Sequence, residues 1–294
     1  MKTEQKTEHV YKKRSQLSAI WHRLKKNKLA MLGLVILCIM IGLAVFADFI
    51  ADYDTVVVGL DTSQRLLTPS LQHLCGTDQF GRDVFARIIH GGRLSLSLSI
   101  ISMSIAVAIG AFIGAVAGYY GGRVDDILMR LMDILLAIPP MLMSISIVAA
   151  LGQSMINLLI ALAIAYIPVF ARVIRSTILS IKGQEFVEAA RACGTSNARI
   201  ILRHIIPNAI GPIIVEATLT MGAAILVISS LSFMGLGIEP PAPEWGTMLY
   251  EGREVIRSSP YLIIFPGIAI ALSVMSLNLL GDGLRDALDP RLKN

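Results

Sequence analysis

Three side chains of types that bind metal ions lie close together in the sequence, at His73, Cys75 and Asp78. Structural zinc sites use four such ligands, and no fourth is grouped with these three. The other two cysteines, Cys38 and Cys193, fall in an apolar block and in a distant polar stretch. We therefore predict no metal site, and no disulfide, because no two cysteines share an obvious compartment.

The sequence lacks common motifs of nucleotide binding and hydrolysis. It contains no Gly-Lys dipeptide, and therefore no ATP-binding phosphate loop, and it contains neither HExxH nor GxSxG. Its apolar blocks include serines but no histidine that would activate one as a nucleophile. These absences predict a protein that is not an enzyme and that binds no cofactor itself.

Hydropathy places most of the chain in a membrane. Of its 294 residues, 54% are hydrophobic and 16% are charged, and the mean hydropathy is +0.68, unlike an ordinary soluble domain. Blocks long enough to span a bilayer occupy 29–47, 94–120, 134–170, 205–237 (interrupted by Glu216) and 261–281. The block 134–170 holds two helices, joined near Gly152, Gln153 and Ser154. We predict an all-α integral membrane protein with six transmembrane helices.

The basic residues predict the orientation. Twenty of the 26 Lys and Arg residues lie in 1–28, 121–133, 172–204 and 282–294, and six lie in 48–93 and 235–260. Because cytoplasmic loops retain such residues, both termini are expected in the cytoplasm, and the net charge of +5 does not indicate nucleic-acid binding. The chain then divides into a basic N-terminal segment (1–28), a first, uncleaved transmembrane helix with a long external loop (29–93), and a core of five transmembrane helices (94–294).

An amphipathic helix is expected just before the first span. Leu17, Ile20, Trp21 and Leu24 fall on one face of it, next to several lysines. This pattern favours a helix lying on the membrane surface, and a disordered basic tail is the alternative.

A ridge of small residues runs along the second span. Gly110, Gly114 and Gly118 recur every four residues. Since small residues at this spacing let helix backbones approach closely, we predict that another helix packs there.

A polar stretch at about 182–206 separates two apolar blocks. Gly194 can adopt the left-handed conformation that ends one helix, and Thr195 or Ser196 can cap a second. We predict a bent helical hairpin exposed to the cytoplasm. One side of its first helix is made mostly of small residues and comprises Phe186, Ala189, Ala190 and Cys193. The apolar side of its second helix comprises Ile200, Ile201 and Ile205. The small side favours docking into another protein, and a helix lying on the membrane is the alternative.

This stretch resembles a known motif. Glu188-Ala189-Ala190, followed by Gly194 and by Ile206-Pro207, is similar to the EAA motif of permease subunits of ATP-binding-cassette (ABC) importers. The resemblance implies that Glu188, Ala189, Ala190, Gly194 and Pro207 couple the chain to an ATPase subunit, whose groove receives the helices of the loop. The sequence departs from the common pattern at His204, where an aliphatic residue is more usual.

Three further blocks resemble the C-type permease subunit of dipeptide and oligopeptide importers. They are HLCGTDQFGRDVFARIIHGGRLSLSLS from His73, LSFMGLGIEPPAPEWGTML from Leu231, and NLLGDGLRDALDPRL from Asn278. The resemblance covers nearly the whole chain and implies the type I ABC importer permease fold and the import of di- or oligopeptides. Relatives that carry nickel or glutathione leave those cargoes open. A membrane interaction protein that transports nothing is the alternative outside this class.

The resemblance also implies partners and a location. They are a second, homologous permease that forms a heterodimer, two ATPase subunits that bind ATP and magnesium, and an external solute-binding protein. The chain itself would bind the lipid bilayer, no nucleic acid and no cofactor. It is expected as a multi-pass protein of the cytoplasmic membrane of a prokaryote.

The external loop 48–93 is too long for a simple turn and is the candidate surface for the binding protein. The candidate docking residues are Gly76, Asp78, Gly81, Arg82 and Asp83. Asp78 or Asp83 is also expected to cap a short helix before the second span. In the second external loop, three prolines and Trp245 form a stiff segment that either gates the outer mouth or anchors the neighbouring spans.

Glu216 is the one charged residue in the predicted spans. It lies nine residues beyond Pro207, about 13 Å along a helix, and therefore near the middle of the membrane. An unpaired charge at that depth costs several kcal/mol, so the side chain is expected to face protein, to be paired or to be protonated. Two roles stay open: a place on the substrate path, and a buried hydrogen bond to the second permease.

Overall fold

The structure, a computed structural model, describes residues 16–288. Most of the basic N-terminal segment, the side chain of Leu17 and residues 289–294 lie outside the described part. Within it the chain is helical without strands, and its α-helices are α1 Gln16–Leu24, α2 Lys28–Val45, α3 Ala47–Ile50, α4 Val84–Tyr120, α5 Gly122–Leu136, α6 Pro140–Leu151, α7 Met155–Ile181, α8 Glu185–Ala192, α9 Asn197–Ile200, α10 Ile206–Phe233, α11 Trp245–Gly252 and α12 Tyr261–Leu288. Short π-helical turns cover Tyr53–Val57 and Ile201–Ile205, and 3₁₀ turns cover Thr62–Gln64 and Arg253–Val255.

The prediction of an all-α membrane protein is confirmed. In the described range, five stretches are long and apolar enough to cross a membrane: α2, α4, α7, α9 continued by α10, and α12. The helices α5 and α6 meet at an angle of 83°, and a sixth span is present only if this bent pair crosses the membrane as a unit. The count of six therefore holds if this bent pair is counted as one span.

The third predicted span differs from the expectation. The junction near Gly152 is confirmed, since Gly152 has φ +89° and the Ser154 side chain accepts a hydrogen bond from Asn157 N at 3.1 Å. The helix before it, however, has only 12 residues. At 1.5 Å per residue it is about 18 Å long, shorter than the hydrocarbon core of about 30 Å. Its length is limited because Pro139 and Pro140 separate it from the preceding helix. That preceding helix is α5, formed by residues 122–136 where a loop was expected before the span.

Several helices extend beyond the apolar blocks that predicted them. Helix α4 begins at Val84, ten residues before its block, and α7 continues to Ile181. Asp83 caps α4, accepting a hydrogen bond from Ala86 N at 2.8 Å. The expected short helix before the second span is therefore the first turns of that span. Hydropathy marks where lipid ends, whereas protein contacts support the helix beyond that point.

The glycine ridge of α4 packs on α7, as predicted. A Cβ on Gly110 would lie 2.6 Å from Phe170 Cβ, and one on Gly118 would lie 3.0 Å from the Arg175 carbonyl oxygen.

The remaining spans surround α10. It packs on α4, α7 and α12, and α12 in turn packs on α2. The amphipathic helix α1 lies on the end of α12, where Leu24 is buried with Ala30 and Ala287 and the Arg23 guanidinium donates to the Ala287 carbonyl at 3.3 Å. The predicted helix is confirmed, but Leu24 faces α12, whereas Trp21 is 43% exposed.

Candidate functional site

The polar stretch forms the predicted bent hairpin. Helix α8 ends at Ala192, and Gly194 has φ +75°, the left-handed conformation expected of it. Thr195 N donates to the Ala190 carbonyl at 3.1 Å, and Gly194 N donates to the Arg191 carbonyl at 3.0 Å. These two hydrogen bonds constitute a Schellman motif, which satisfies the last carbonyls of α8 and turns the chain into α9.

The hairpin is fixed to the bundle by its apolar residues. Val187, Ile200 and Ile205 are fully buried in the main core, and Ile201 is half-buried. The Tyr119 hydroxyl at the end of α4 donates to Asn197 Oδ1 at 2.7 Å. The expected apolar side of the second helix is thus confirmed.

Two details of the hairpin differ from the prediction. Ser196 occupies the position before α9, but its side chain makes no capping hydrogen bond, and its backbone carbonyl accepts from Ile200 N instead. On the first helix, the residue that turns inward is Val187, whereas Phe186, Ala189 and Cys193 are exposed.

The exposed side of the hairpin is made of small residues. Glu188, Ala189 and Gly194 are exposed, and Ala190 is half-buried. A Cβ added to Gly194 would meet nothing within 4 Å. Packing inside the chain therefore does not require a small residue here; the positive φ favours glycine, and the open space leaves room for another molecule. Pro207 is exposed in the first turn of α10, beside the end of α7.

A buried cluster of four charges organises residues 52–83, named the external segment here after the side of the membrane that the sequence predicts for it. Asp78 Oδ2 accepts hydrogen bonds from Arg82 Nε and Arg87 NH1, both at 2.6 Å. Arg82 NH2 donates to Glu251 Oε1 at 2.9 Å, and Arg87 NH2 lies 2.7 Å from Glu251 Oε2 in an ion pair without hydrogen-bond geometry. All four side chains are at least nine-tenths buried. The cluster joins the external segment to α4 and α11, and its two cations balance its two anions.

The rest of the motif from His73 holds the loop in shape. The His73 ring lies between Asp83 Oδ2 at 2.8 Å and Gln64 Oε1 at 3.0 Å. Gly76 has φ +78° and would place a Cβ 2.6 Å from the Leu67 carbonyl oxygen, and Gly81 has φ +83°. Since glycine alone adopts such conformations without strain, both glycines are explained by the path of the backbone.

The three potential metal ligands make separate contacts. His73 bonds to Asp83 and Gln64, Asp78 bonds to two arginines, and Cys75 is buried in an apolar cluster that also contains Trp245 and Tyr261. Across residues 16–288 no three His, Cys, Asp or Glu side chains are grouped in a way that would hold a metal ion.

The candidate docking residues point mostly inward. Asp78 and Arg82 are 5% and 2% exposed, Gly76 is buried, and Gly81 and Asp83 are half-buried. Direct contact of Asp78 or Arg82 with a docked protein is therefore not expected, because their polar atoms are already paired. The exposed surface of the segment mixes polar and apolar side chains, and its large apolar ones include Leu60, Leu67, Leu71, Leu74 and Phe80.

Trp245, in the predicted stiff segment, is buried within the chain. It is 1% exposed and stacks over Gly91 and Gly92 of α4, and its indole nitrogen donates to the Ile88 carbonyl at 2.9 Å. Glu244, fully buried, caps α11 by accepting from Thr247 N at 2.9 Å and from Ser95 Oγ at 3.0 Å. The loop 234–244 between α10 and α11 is thus anchored to α4.

Sequence reasoning missed Arg87, Glu244 and Glu251. Arg87 and Glu244 belong to the blocks that carry the resemblance and Glu251 lies two residues beyond one of them, but spacing along the chain does not reveal which charges meet. The adjacent Gly91 and Gly92 in α4 were a signal for the nearby packing of Trp245, because paired small residues leave room for a bulky group against the helix, but they do not indicate the charges.

Glu216 lies in the first half of α10 and is half-buried. Among the described residues it makes no hydrogen bond or ion pair. Its carboxylate is therefore free to meet a group that is not part of this chain.

The fold is that of a transport protein subunit in a membrane. A chain of the MetNI methionine ABC transporter, solved in inward-facing conformations, matches with a TM-score of 0.57 at 16% sequence identity, over 69% of this chain and 97% of that chain. This likeness concerns the fold alone, which is the type I ABC importer permease fold.

Sequence comparison identifies the family. Residues 110–294 match the family described as binding-protein-dependent transport system inner membrane component, and residues 15–69 match the N-terminal transmembrane domain of oligopeptide transport permease C. The chain belongs to this permease family, in its dipeptide/oligopeptide branch. The predicted resemblance is therefore confirmed.

Two relatives indicate how far the similarity extends. The dipeptide transport system permease protein DppC of Alkalihalophilus pseudofirmus is 47% identical over 272 residues, which are 92% of this chain and 89% of the relative. The glutathione transport system permease protein GsiD of Escherichia coli O6:K15:H31 is 43% identical over 273 residues, 93% of this chain and 90% of the relative. The similarity thus includes the external segment, the hairpin and the spans.

Proposed function

We propose that this chain is a permease subunit that carries di- or oligopeptides inward across the cytoplasmic membrane of a prokaryote, powered by separate ATPase subunits. The observation that carries the proposal is the exposed, small-sided hairpin α8–α9 in a chain of the binding-protein-dependent permease family. The hairpin is firmly held at its base and open at its tip, as a mechanical contact requires.

The proposed coupling surface consists of Glu188, Ala189, Ala190 and Gly194, with Pro207 at its edge. The two short helices are followed without a break by α10, so a displacement of the hairpin moves the end of a membrane-spanning helix. Closure of an ATPase dimer on ATP and magnesium would supply the displacement. Alternating access follows if two packings of the spans differ by only a few kcal/mol. This assignment places the hairpin and both termini in the cytoplasm.

The second permease is proposed to be a homologous but different chain, so that two permeases and two ATPase subunits form the membrane complex. Several helices of this chain carry large apolar side chains on their outer surface, such as Phe112, Ile214 and Leu226. Lipid covers some of them, and the second permease would cover the others and complete a substrate path between the two chains.

The external segment is proposed to receive the solute-binding protein. In this proposal the buried charge cluster and the positive-φ turns at Gly76 and Gly81 hold the segment rigid, whereas exposed apolar residues such as Leu71 and Phe80 make the contact. Leu71 is 97% exposed, which is unusual for a leucine in an ordered loop and favours a binding surface. The motif residues therefore position the surface instead of forming it.

Glu216 is proposed to lie on the substrate path, where its carboxylate would attract the amino group of a peptide. Its half-buried, unpaired state within the described chain is consistent with this role. A hydrogen bond to the second permease is the alternative, and the two roles separate experimentally.

Glutathione is the second candidate cargo, because a relative of 43% identity is named for it. Nickel stays an alternative, and so does a membrane protein that binds a partner without transport. Cargo is decided largely by the external binding protein, so measuring that protein is more informative than measuring the permease.

The test is co-purification from native membranes followed by calorimetry. We expect the chain to retain a second permease and ATPase subunits, and its cognate binding protein to bind di- or oligopeptides with ordinary α-peptide bonds but neither the γ-linked glutathione nor nickel. Tight binding of glutathione or nickel would change the proposed cargo but not the proposed type of transporter. Recovery of the chain with no ATPase would overturn the proposal itself.

A further inference from the structure

We infer that α5 is an anchor that lies in the headgroup region of the inner leaflet, with its apolar side in the acyl chains and two arginines on lipid phosphates. Nothing in the proposed transport mechanism requires this helix to be amphipathic. The inference rests on the proposed function in one respect: the proposed orientation of the chain identifies the leaflet as the inner one.

The first observation is the direction of α5. Two ion pairs join it to α7: Asp125 with Arg175, and Asp133 with Arg172 at 2.6 Å. The two aspartates are eight residues apart, about 12 Å along α5, whereas their partners are three residues apart, about 4.5 Å along α7. Helix α5 therefore crosses the membrane-spanning α7 at a steep angle, and it meets α6 at 83°. A helix so placed runs along the membrane plane.

The second observation is the apolar side of α5. Val124, Ile127, Leu131 and Ile134 are separated by three, four and three residues and so share one face of the helix. They are 43%, 62%, 52% and 62% exposed, whereas Asp125 and Met132, on the other side, are buried. Four large apolar side chains in a row facing water would be costly, and lipid removes that cost.

The third observation is the charge along the edge of this apolar face. Arg123 and Arg130 are seven residues apart, both exposed, and flank Ile127 at distances of four and three residues. Within residues 16–288 neither arginine makes an ion pair. Asp126 is the acid between them, so the exposed edge carries two cations and one anion. Arginines that border an apolar face are typical of helices that lie at a lipid surface.

The position of α5 in the chain agrees with this role. Gly121 and Gly122 have φ +67° and +54°, and they turn the chain directly from the end of α4 into α5. Lys182 Nζ, at the far end of α7, donates to the Gly118 carbonyl at 2.9 Å on the same level. The helix thus begins where α4 leaves the membrane, near the base of the coupling hairpin.

The test uses the full chain, assembled in its native complex and reconstituted in vesicles of equimolar phosphatidylethanolamine and phosphatidylglycerol. Nitroxide labels are placed on Ile127→Cys and Leu131→Cys, with Asp126→Cys as the matched control, in a background free of the three native cysteines. We expect the first two labels to be relaxed by dissolved oxygen and the third by a water-soluble nickel chelate. Preferential relaxation of label 127 by the nickel chelate would overturn the inference.

A photoreactive benzoylphenylalanine at position 127, activated in cells, separates lipid from protein. We expect adducts with the mass of a phospholipid. A cross-link to the second permease would mean that the apolar face is a subunit interface, and would overturn the inference. Neither outcome depends on ATPase coupling, so this inference and the proposed function can fail separately.

The arginines have their own test. With a bimane label at Ile127→Cys, quenching by brominated phosphatidylglycerol is compared with quenching by brominated phosphatidylcholine. Each arginine near an anionic surface strengthens binding about fivefold, and Asp126 offsets part of this gain, so we expect a preference of about fivefold for the anionic lipid. The double variant Arg123→Gln/Arg130→Gln should lose it, and Arg257→Gln, an exposed control in the second external loop, should not. An unchanged preference in the double variant would mean that the two arginines do not contact lipid phosphates.

Discussion

Arg87 at the start of α4 and Glu251 in α11 form a buried ion pair, with 2.7 Å between Arg87 NH2 and Glu251 Oε2. Asp78 and Arg82 complete the cluster from the external segment. A buried ion pair is not by itself a source of stability, since desolvation offsets much of the attraction. The cluster instead fixes positions: the external segment, α4 and α11 must keep one relative arrangement for all four charges to remain paired.

Removing one anion from the cluster should destabilise the protein strongly. Glu251→Gln leaves two buried guanidinium groups with one carboxylate, which costs about 3–5 kcal/mol. We expect a clear loss of thermal stability in detergent and faster proteolysis within residues 52–83. The control is Asp48→Asn, which breaks the exposed pair with Arg93 and should cost less than about 1 kcal/mol. Equal effects of the two variants would contradict a structural role for the cluster.

A methyl group on the glycine ridge should also destabilise, for a steric reason. The Cβ of Gly114→Ala would collide with the Ala171 carbonyl oxygen of α7, and overpacking of this kind costs about 1–3 kcal/mol. In Gly42→Ala the new methyl meets nothing within 4 Å, and helix propensity alone predicts a gain of up to about 1 kcal/mol. Thermal unfolding of both variants measures the difference. A Gly114→Ala protein as stable as the parent would mean that α4 and α7 can separate freely.

Local patterns in the sequence were sufficient for several elements. The Gly110–Gly114–Gly118 ridge and the left-handed turn at Gly194 each depend on residues close together in the chain, so spacing identified them. The cluster around Arg87 and Glu251 joins distant segments, and periodicity carries no information about such pairs. The bend between α5 and α6 was missed for a related reason, because an uncharged run indicates depth in lipid but not the direction of the helix.

The hairpin tip should tolerate little bulk if an ATPase binds it. Gly194→Asn keeps the left-handed conformation, which asparagine tolerates, and adds a side chain into open space. We expect normal insertion and stability, but at least a tenfold loss of cargo-dependent ATPase stimulation in the reconstituted complex, corresponding to about 1.4 kcal/mol of lost contact.

The matched control is Gly122→Asn. Gly122 also has a positive φ, and a Cβ there likewise meets nothing within 4 Å, but it lies outside the hairpin. Stimulation should persist in this control. If Gly194→Asn remained fully coupled, the small residues at the tip would not be the ATPase contact.

Cys75 should resist alkylation at pH values that modify Cys193. Burial, and the nearby Asp83 carboxylate, raise the pKa of the Cys75 thiol to about 11. Because the thiolate is the reactive form, only about one Cys75 in a thousand is ionised at pH 8, so its alkylation should be on the order of a hundredfold slower than that of an ordinary exposed cysteine. Mass spectrometry of maleimide-treated protein measures both sites, and the rate at Cys75 should increase with pH up to about 11. Comparable rates at pH 8 would mean that the external segment opens readily.

The proposed orientation predicts from which side of the membrane Cys193 can be modified. Cys193 is exposed on the hairpin of the isolated chain, so a membrane-impermeant maleimide should modify it in inside-out vesicles stripped of ATPase subunits and leave it unmodified in intact cells stripped of outer barriers. Modification in intact cells would mean that the hairpin lies outside the cell, where it could not contact an ATPase subunit.

The last prediction concerns Glu216. If its carboxylate attracts the amino group of a peptide, Glu216→Gln should lower uptake of free peptides about tenfold or more, since a hydrogen bond to a charged group contributes about 1.5–3 kcal/mol. Uptake of N-acetylated peptides, which lack the amine, should change little. Glu239→Gln, at an exposed glutamate of the second external loop, serves as the control and should behave like the parent. Unchanged uptake together with weaker co-purification of the second permease would assign Glu216 to the subunit interface, because the amide then fails to reproduce a bond between chains.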